Sequence, residues 1–220
     1  MKRVTVLYED AQCLVVNKPA GLAVHGGAKI TVCLEELLAA EFSFKPYPVH
    51  RLDKDTSGIL LIAKSASNAA FFSRVFAEGR TLKQYTAICA RQNSAPLAPR
   101  GRIETALEYR GVRKPACTTW IVRGSHTVNG NKWIQLELEL GTGRMHQIRR
   151  HLAQLGCPLL GDDKYGDFSL NKQLRKQYKL NRMLLHATRL MVPLPGGGKL
   201  DIQAPLPAYF AFFKTAEDLS

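Results

Sequence analysis

Lys132-Trp133-Ile134-Gln135-Leu136-Glu137-Leu138-Glu139-Leu140 alternates strictly, with Ile134, Leu136, Leu138 and Leu140 on one face and Trp133, Gln135, Glu137 and Glu139 on the other. A period of two is that of a β-strand, and the polar set predicts one wet face. Asn129-Gly130 just before it is a hairpin signal, so the strand is expected to lie antiparallel to its neighbour. Downstream, Met145, Ile148, Leu152 and Leu155 recur at helical spacing, and Gly156 followed by Pro158 stops the helix. Residues 184–192 and 200–204 read as strands around the turn Pro195-Gly196-Gly197-Gly198. Upstream, Thr31 is the expected cap of a helix with the stripe Leu34, Leu37 and Leu38. Ser67 is the expected cap of another, with Phe72, Val75 and Phe76, ending at Gly79. Strands in succession with a few helices between them predict an α+β fold built on a largely antiparallel sheet. No repeat or internal linker interrupts the chain, so a single domain over 1–220 is expected.

The 220 residues carry 31 Lys+Arg against 18 Asp+Glu, a net charge of +13. The excess is uneven. Residues 79–114 hold eight basic and two acidic side chains, residues 141–190 hold ten and three, and the remainder sums to zero. Two basic stretches on a neutral background are what a phosphate-tracking surface requires, although a solubilising face would look similar. No apolar run approaches the roughly 18 residues that span a bilayer. Met1 to Leu7 lacks the long apolar stretch of a secretory signal, and a cytoplasmic location is expected. Five scattered cysteines with no C-x-x-C pair fit neither a disulfide framework nor a zinc knuckle. His146 and His151 are five apart, off a common helix face, so no metal site is expected. The glycines match neither the dinucleotide nor the P-loop pattern, and no G-x-S-x-G elbow occurs, so no nucleotide cofactor is expected either.

The chemistry concentrates in His50-Arg51-Leu52-Asp53-Lys54-Asp55-Thr56-Ser57-Gly58, a charged loop running into the apolar Ile59-Leu60-Leu61-Ile62-Ala63. A buried strand fixes such a loop while the loop exposes its side chains, a common setting for a catalytic carboxylate. The plainer reading is that Asp53 or Asp55 closes a turn through its own side chain. A paired-carboxylate glycosidase arrangement of Asp53 with Asp55 is weaker, because the two would repel and Asp55-Thr56-Ser57-Gly58 is turn-like.

That nine-residue stretch resembles the signature of the RluA-type RNA pseudouridine synthases, and the resemblance extends over nearly the whole chain. Val15-Val16-Asn17-Lys18-Pro19-Ala20-Gly21 is similar to the family's first motif, and Lys83-Gln84-Tyr85-Thr86-Ala87 to its tyrosine strand. Gly143-Arg144-Met145-His146-Gln147-Ile148-Arg149 is similar to its arginine motif. Leu160-Gly161-Asp162-Asp163-Lys164-Tyr165-Gly166 resembles the loop that follows, and Leu184-Leu185-His186-Ala187 a late core strand. Val24-His25-Gly26-Gly27 and Leu180-Asn181-Arg182 look most like the branch acting on large-subunit ribosomal RNA. Met145 stands where the family usually has a small hydroxyl residue, which would remove a potential helix cap. Many members carry a small RNA-binding domain ahead of the catalytic one, whereas here Tyr8-Glu9-Asp10 already begins the catalytic region.

The resemblance implies the pseudouridine synthase fold and a cofactor-free isomerisation of uridine to pseudouridine. By it, Asp53 is the catalytic carboxylate, Tyr85 stacks on the base, and Arg149 pairs with the carboxylate. Arg51 fills the space left by the flipped base. Lys18, Arg144, Lys172, Arg175, Lys176 and Arg182 are the expected contacts to the RNA backbone. The partner is ribosomal RNA, with transfer RNA as the alternative, and a monomer is expected. Without the resemblance, Arg149 would read as a surface salt bridge, Tyr85 as a core-facing strand residue and His146 as structural. A non-catalytic RNA-binding or ribosome-assembly factor would need the charge pattern but not Asp53, Tyr85 and Arg149 together. A nucleosidase would need a second well-placed carboxylate.

Overall fold

Asp10 closes the first hairpin. Its Oδ1 accepts from the backbone N–H groups of Gln12 and Cys13, both at 2.7 Å, so β1 (Thr5–Glu9) turns directly into its antiparallel partner β2 (Cys13–Lys18). The computed structural model describes residues 4–27, 30–92, 96–128 and 130–211. The chain divides into two compact units, Met1–Lys83 with Ala187–Pro205, and Gln84–His186 with Leu206–Ser220.

In the first unit β2 leads to α1 (Leu34–Glu41), β3 (Tyr47–Pro48), β4 (Ser57–Ala63) and α2 (Ala66–Ala77). Helix α1 starts from Cys33, not from Thr31, because the Glu36 carboxylate reaches back to the Cys33 N–H at 3.1 Å. Helix α2 is capped by Ser65, not Ser67: the Ser65 hydroxyl accepts from Asn68 N–H, which leaves Ser67 in the first turn. All seven residues of β4 are buried, as its unbroken apolar run requires. It pairs antiparallel with β2, Cys13 opposite Ala63 and Lys18 opposite Gly58. One face of these strands presents Cys13, Val15, Ile59, Leu61 and Ala63 to Phe72 and Val75 of α2.

The second unit holds β5 (Leu82–Arg91), which begins in the first, then β6 (Arg100–Ile103), β7 (Leu107–Tyr109), β8 (Val112–Lys114), β9 (Thr118–Val128) and β10 (Asn131–Leu140). Strand β10 lies antiparallel between β5 and β9, and β6 pairs with β9. Gly130 adopts the positive φ of a hairpin turn, while Asn129 lies outside the described residues. The apolar face of β10 is buried as expected, and Glu137 on the other face pairs with Arg123 at 2.9 Å. Trp133 departs from that wet face. It is 1% exposed, packed with Leu170 and Leu174 of a helix the alternation could not reveal.

That helix is α4 (Phe168–Tyr178), capped by Asp167, whose Oδ1 accepts from Leu170 N–H at 2.9 Å. It follows α3 (Gln147–Gln154). The cap position of α3 is His146, in the left-handed region at φ 53, so Met145 precedes the cap and takes no capping acceptor away from it. Gln147 secures the entry instead, accepting from Arg144 N–H and donating to Cys117 O at 2.8 Å. Strand β11 (Leu185–Pro193) carries the chain back to the first unit, where its remainder pairs antiparallel with β12 (Lys199–Gln203). Every strand pair with a described register is antiparallel, and an isolated parallel bridge joins Ala23 to Cys33. The architecture is α+β, as the strand succession predicts. Among the described residues, no helix is long and apolar enough to cross a membrane.

Candidate active site

The His50–Gly58 loop is fixed at both ends. At its start, half-buried His50 accepts the Leu61 N–H on Nε2 at 3.0 Å and stacks on Phe76 with ring centroids 4.5 Å apart. Burial, helped by the positive charge of Lys83, pushes its pKa down to about 3, so the ring stays neutral with its proton on Nδ1. At its end, Gly58 has φ 113, and a Cβ there would sit 2.2 Å from the Ala187 carbonyl oxygen. Only glycine fits.

Between these ends the backbone folds tightly, with Thr56 N–H donating to Asp53 O at 3.1 Å. The loop shows Arg51 to solvent, half-buries Asp53 and Asp55, and buries Leu52 and Thr56. The Lys54 carbonyl, one position past Asp53, accepts from Gly21 N–H at 2.9 Å and from the Lys18 ammonium at 3.0 Å. This ties the loop to the Asn17-Lys18-Pro19-Ala20-Gly21 segment.

Lys18 corrects an expectation. It is fully buried, and its Nζ donates to the carbonyls of Pro19, Leu22 and Lys54 at 3.1, 2.7 and 3.0 Å. An ammonium with three protein acceptors and no exposed surface cannot reach an RNA phosphate. Burial lowers its pKa to about 7, opposed by the negative charges of Asp55 and Asp53. A lysine is most often exposed, and nothing in the spacing of the motif signals this convergence of carbonyls.

Tyr85 and Arg149 belong to the second unit. Tyr85 lies on β5 opposite Leu138 and is 7% exposed. Arg149, on α3, is 5% exposed, which removes the surface salt-bridge reading. Its guanidinium holds Asp162 in a fork, Nε to Oδ2 at 2.8 Å and Nη2 to Oδ1 at 2.7 Å. Asp162 Oδ1 also accepts from the N–H groups of Lys164 and Tyr165 at 2.9 and 3.1 Å. Burial pushes the Asp162 carboxyl up, but Arg149 and these two N–H groups outweigh it and hold the pKa below the ordinary value. The Tyr165 ring packs 5.2 Å from the Arg149 guanidinium, and its hydroxyl meets His146 Nδ1 at 3.1 Å.

Asp162 is the site residue that sequence reasoning passed over, although it lies inside a quoted motif. Its position depends on Gly161, at φ 78 and against the Arg182 carbonyl, and on Asn171 of α4. Asn171 accepts from Gly161 N–H and donates to Asp162 O, each at 2.8 Å. Of the remaining basic residues, Arg144 is exposed with Nε donating to Pro115 O at 3.0 Å. Lys172, Arg175 and Lys176 lie on the exposed side of α4, and Arg182 is exposed beyond it.

The first unit thus offers a glycine-limited loop carrying Asp53, and the second a buried arginine fork and a helix with one basic face. The chain belongs to the RNA pseudouridylate synthase family, whose model matches residues 12–154. Over 221 residues it is 34% identical to ribosomal large subunit pseudouridine synthase C of Rickettsia felis, covering 93% of this chain and 68% of that protein. Ribosomal large subunit pseudouridine synthase D of Buchnera aphidicola subsp. Acyrthosiphon pisum is 33% identical, covering 86% of this chain and 65% of that one. Among solved structures, human RNA pseudouridylate synthase domain containing 1 superposes with a TM-score of 0.79 at 25% identity, covering 98% of this chain and 88% of that chain.

Proposed function

We propose that the chain isomerises uridines of large-subunit ribosomal RNA to pseudouridine, working as a cytoplasmic monomer with 1–220 as one catalytic domain. The observation that carries this reading is the Asp53 loop, held by Lys18, His50 and Gly58 and resembling the family signature. The relatives' names favour ribosomal over transfer RNA.

In the reaction the C1′–N1 bond breaks, the uracil turns while still bound, and C5 bonds to C1′. The C5 proton is lost and N1 gains one, so no outside group enters. Such chemistry needs one ionised carboxylate at the sugar, and that role is Asp53's. Tyr85 stacks on the base, and Arg149, kept rigid by Asp162, provides the fixed cation that a carboxylate in a closed site requires. A base inside a stem must first leave it, and Arg51 stacks in the vacated space. Arg144, Lys172, Arg175, Lys176 and Arg182 follow the phosphates. The test is to map pseudouridines in total RNA from cells with and without the gene. A large-subunit position lost with the gene supports the proposal, loss confined to transfer RNA transfers it to that substrate, and no loss anywhere refutes it.

A further inference from the structure

The hairpin of β7 and β8 forms a two-stranded sheet of its own and carries no assigned role. Leu107 anchors it, 2% exposed, and every residue from Glu108 to Lys114 is exposed. Tyr109 pairs with Val112 across a two-residue turn whose central residues, Arg110 and Gly111, have φ 52 and 76. Such a turn ordinarily takes Asn-Gly, and an arginine in the left-handed region is strained. Despite that strain a cation stands at the tip, with the Arg110 guanidinium 5.3 Å from the Tyr109 ring centroid. Arg113 and Lys114 add two more cations, against Glu108 alone. The hairpin is also tied to the arginine motif: Arg144 Nε donates to Pro115 O at 3.0 Å, and Arg150 Nη1 donates to Glu108 O at 2.9 Å.

A ribbon with three cations, and with Tyr109 46% and Val112 52% exposed, is built to be covered by something anionic with flat faces. We propose that this hairpin grips the RNA substrate, Tyr109 stacking on an unpaired base while Arg110, Arg113 and Lys114 meet the phosphates beside it. The inference rests on the proposed function and adds a contact surface to it. The narrow major groove of an A-form duplex does not admit side chains, so the segment gripped is a loop or a single strand.

Two variants of the full chain separate stacking from charge. Arg110→Gly with Arg113→Gln removes two cations while relaxing the turn, so a melting curve is expected to show a folded protein. Affinity for a uridine-containing ribosomal stem-loop is expected to fall about tenfold, and the slope of log Kd against log salt to flatten by about 1.4 for an unpaired strand. Tyr109→Ala is expected to raise Kd about fivefold or more with the parental salt slope. Parental Kd and slope in both variants overturn the hairpin proposal, and would leave this face to a protein partner. If the parent isomerises no ribosomal RNA, the functional reading fails, and a hairpin-dependent Kd still upholds the grip.

Discussion

The Lys18 ammonium donates to the carbonyl oxygen of Lys54, 36 residues downstream and one position past Asp53. A residue in the middle of the first motif therefore sets the backbone of the second. Lys18→Met keeps the apolar stem but leaves the carbonyls of Pro19, Leu22 and Lys54 without that donor. The Lys54 carbonyl keeps the Gly21 N–H, so two carbonyls are orphaned, and at about 1–3 kcal/mol for each a loss of roughly 2 kcal/mol or more of stability is expected. Urea unfolding measures it, and a midpoint equal to the parent's would show that the three bonds contribute nothing.

His50 makes the fold acid-sensitive. Its folded pKa of about 3 lies below the ordinary 6.5, so below pH 6.5 the unfolded chain binds the proton that the folded chain refuses. The contribution of His50 is fully present above pH 6.5 and is lost as pH falls toward 3, by up to about 1.4 kcal/mol per unit. His50→Gln cannot titrate, so the gap between parent and variant is expected to change with that slope between pH 6 and 5. A constant gap would refute it.

Asp162→Asn breaks the buried fork. Removing one partner of such a pair typically costs about 3–5 kcal/mol, because the other charge remains buried without compensation. Isomerisation is expected to fall further than the folded fraction does, since Arg149 loses the carboxylate that orients it. Asp163→Asn, at an exposed carboxylate 3.7 Å from Arg149, is expected to change stability by less than about 1 kcal/mol. Equal effects of the two substitutions in melting curves would contradict the assignment.

Asp53→Asn preserves size and removes charge. Pseudouridine formation is expected to drop below detection while the melting curve and RNA affinity stay near the parent's, because exposed Lys and Arg supply most of the binding. Turnover by the folded variant at the parental rate would remove Asp53 from the chemistry.

The alternation of β10 and the unbroken run of β4 were legible because burial on one face or both writes itself into hydrophobic period. Helix starts were less so. Thr31 and Ser67 are good capping types, yet Cys33 and Ser65 hold the positions, since the side chain reaching back or forward decides among near neighbours. The basic run 172–179 was visible as charge, but its helix shows only when Leu170 and Leu174 are counted with the Asp167 cap. Lys18 and Asp162 lie in recognisable motifs whose residue types reveal chemistry without revealing partners. Three carbonyls meeting at one ammonium, and a fork closed across 13 residues, are properties of the fold and not of spacing.

The first unit draws β11 and β12 from the far end of the chain. During synthesis β4 is finished at Ala63, but its neighbour β11 reaches the unit only at Ala187, whose carbonyl lies against Gly58. At ribosomal speeds the roughly 120 residues between them take about 6 to 25 seconds. Through that interval a largely apolar strand waits with much of one hydrogen-bonding edge open, and the Asp53 loop cannot take its final shape until Ala187 has been made.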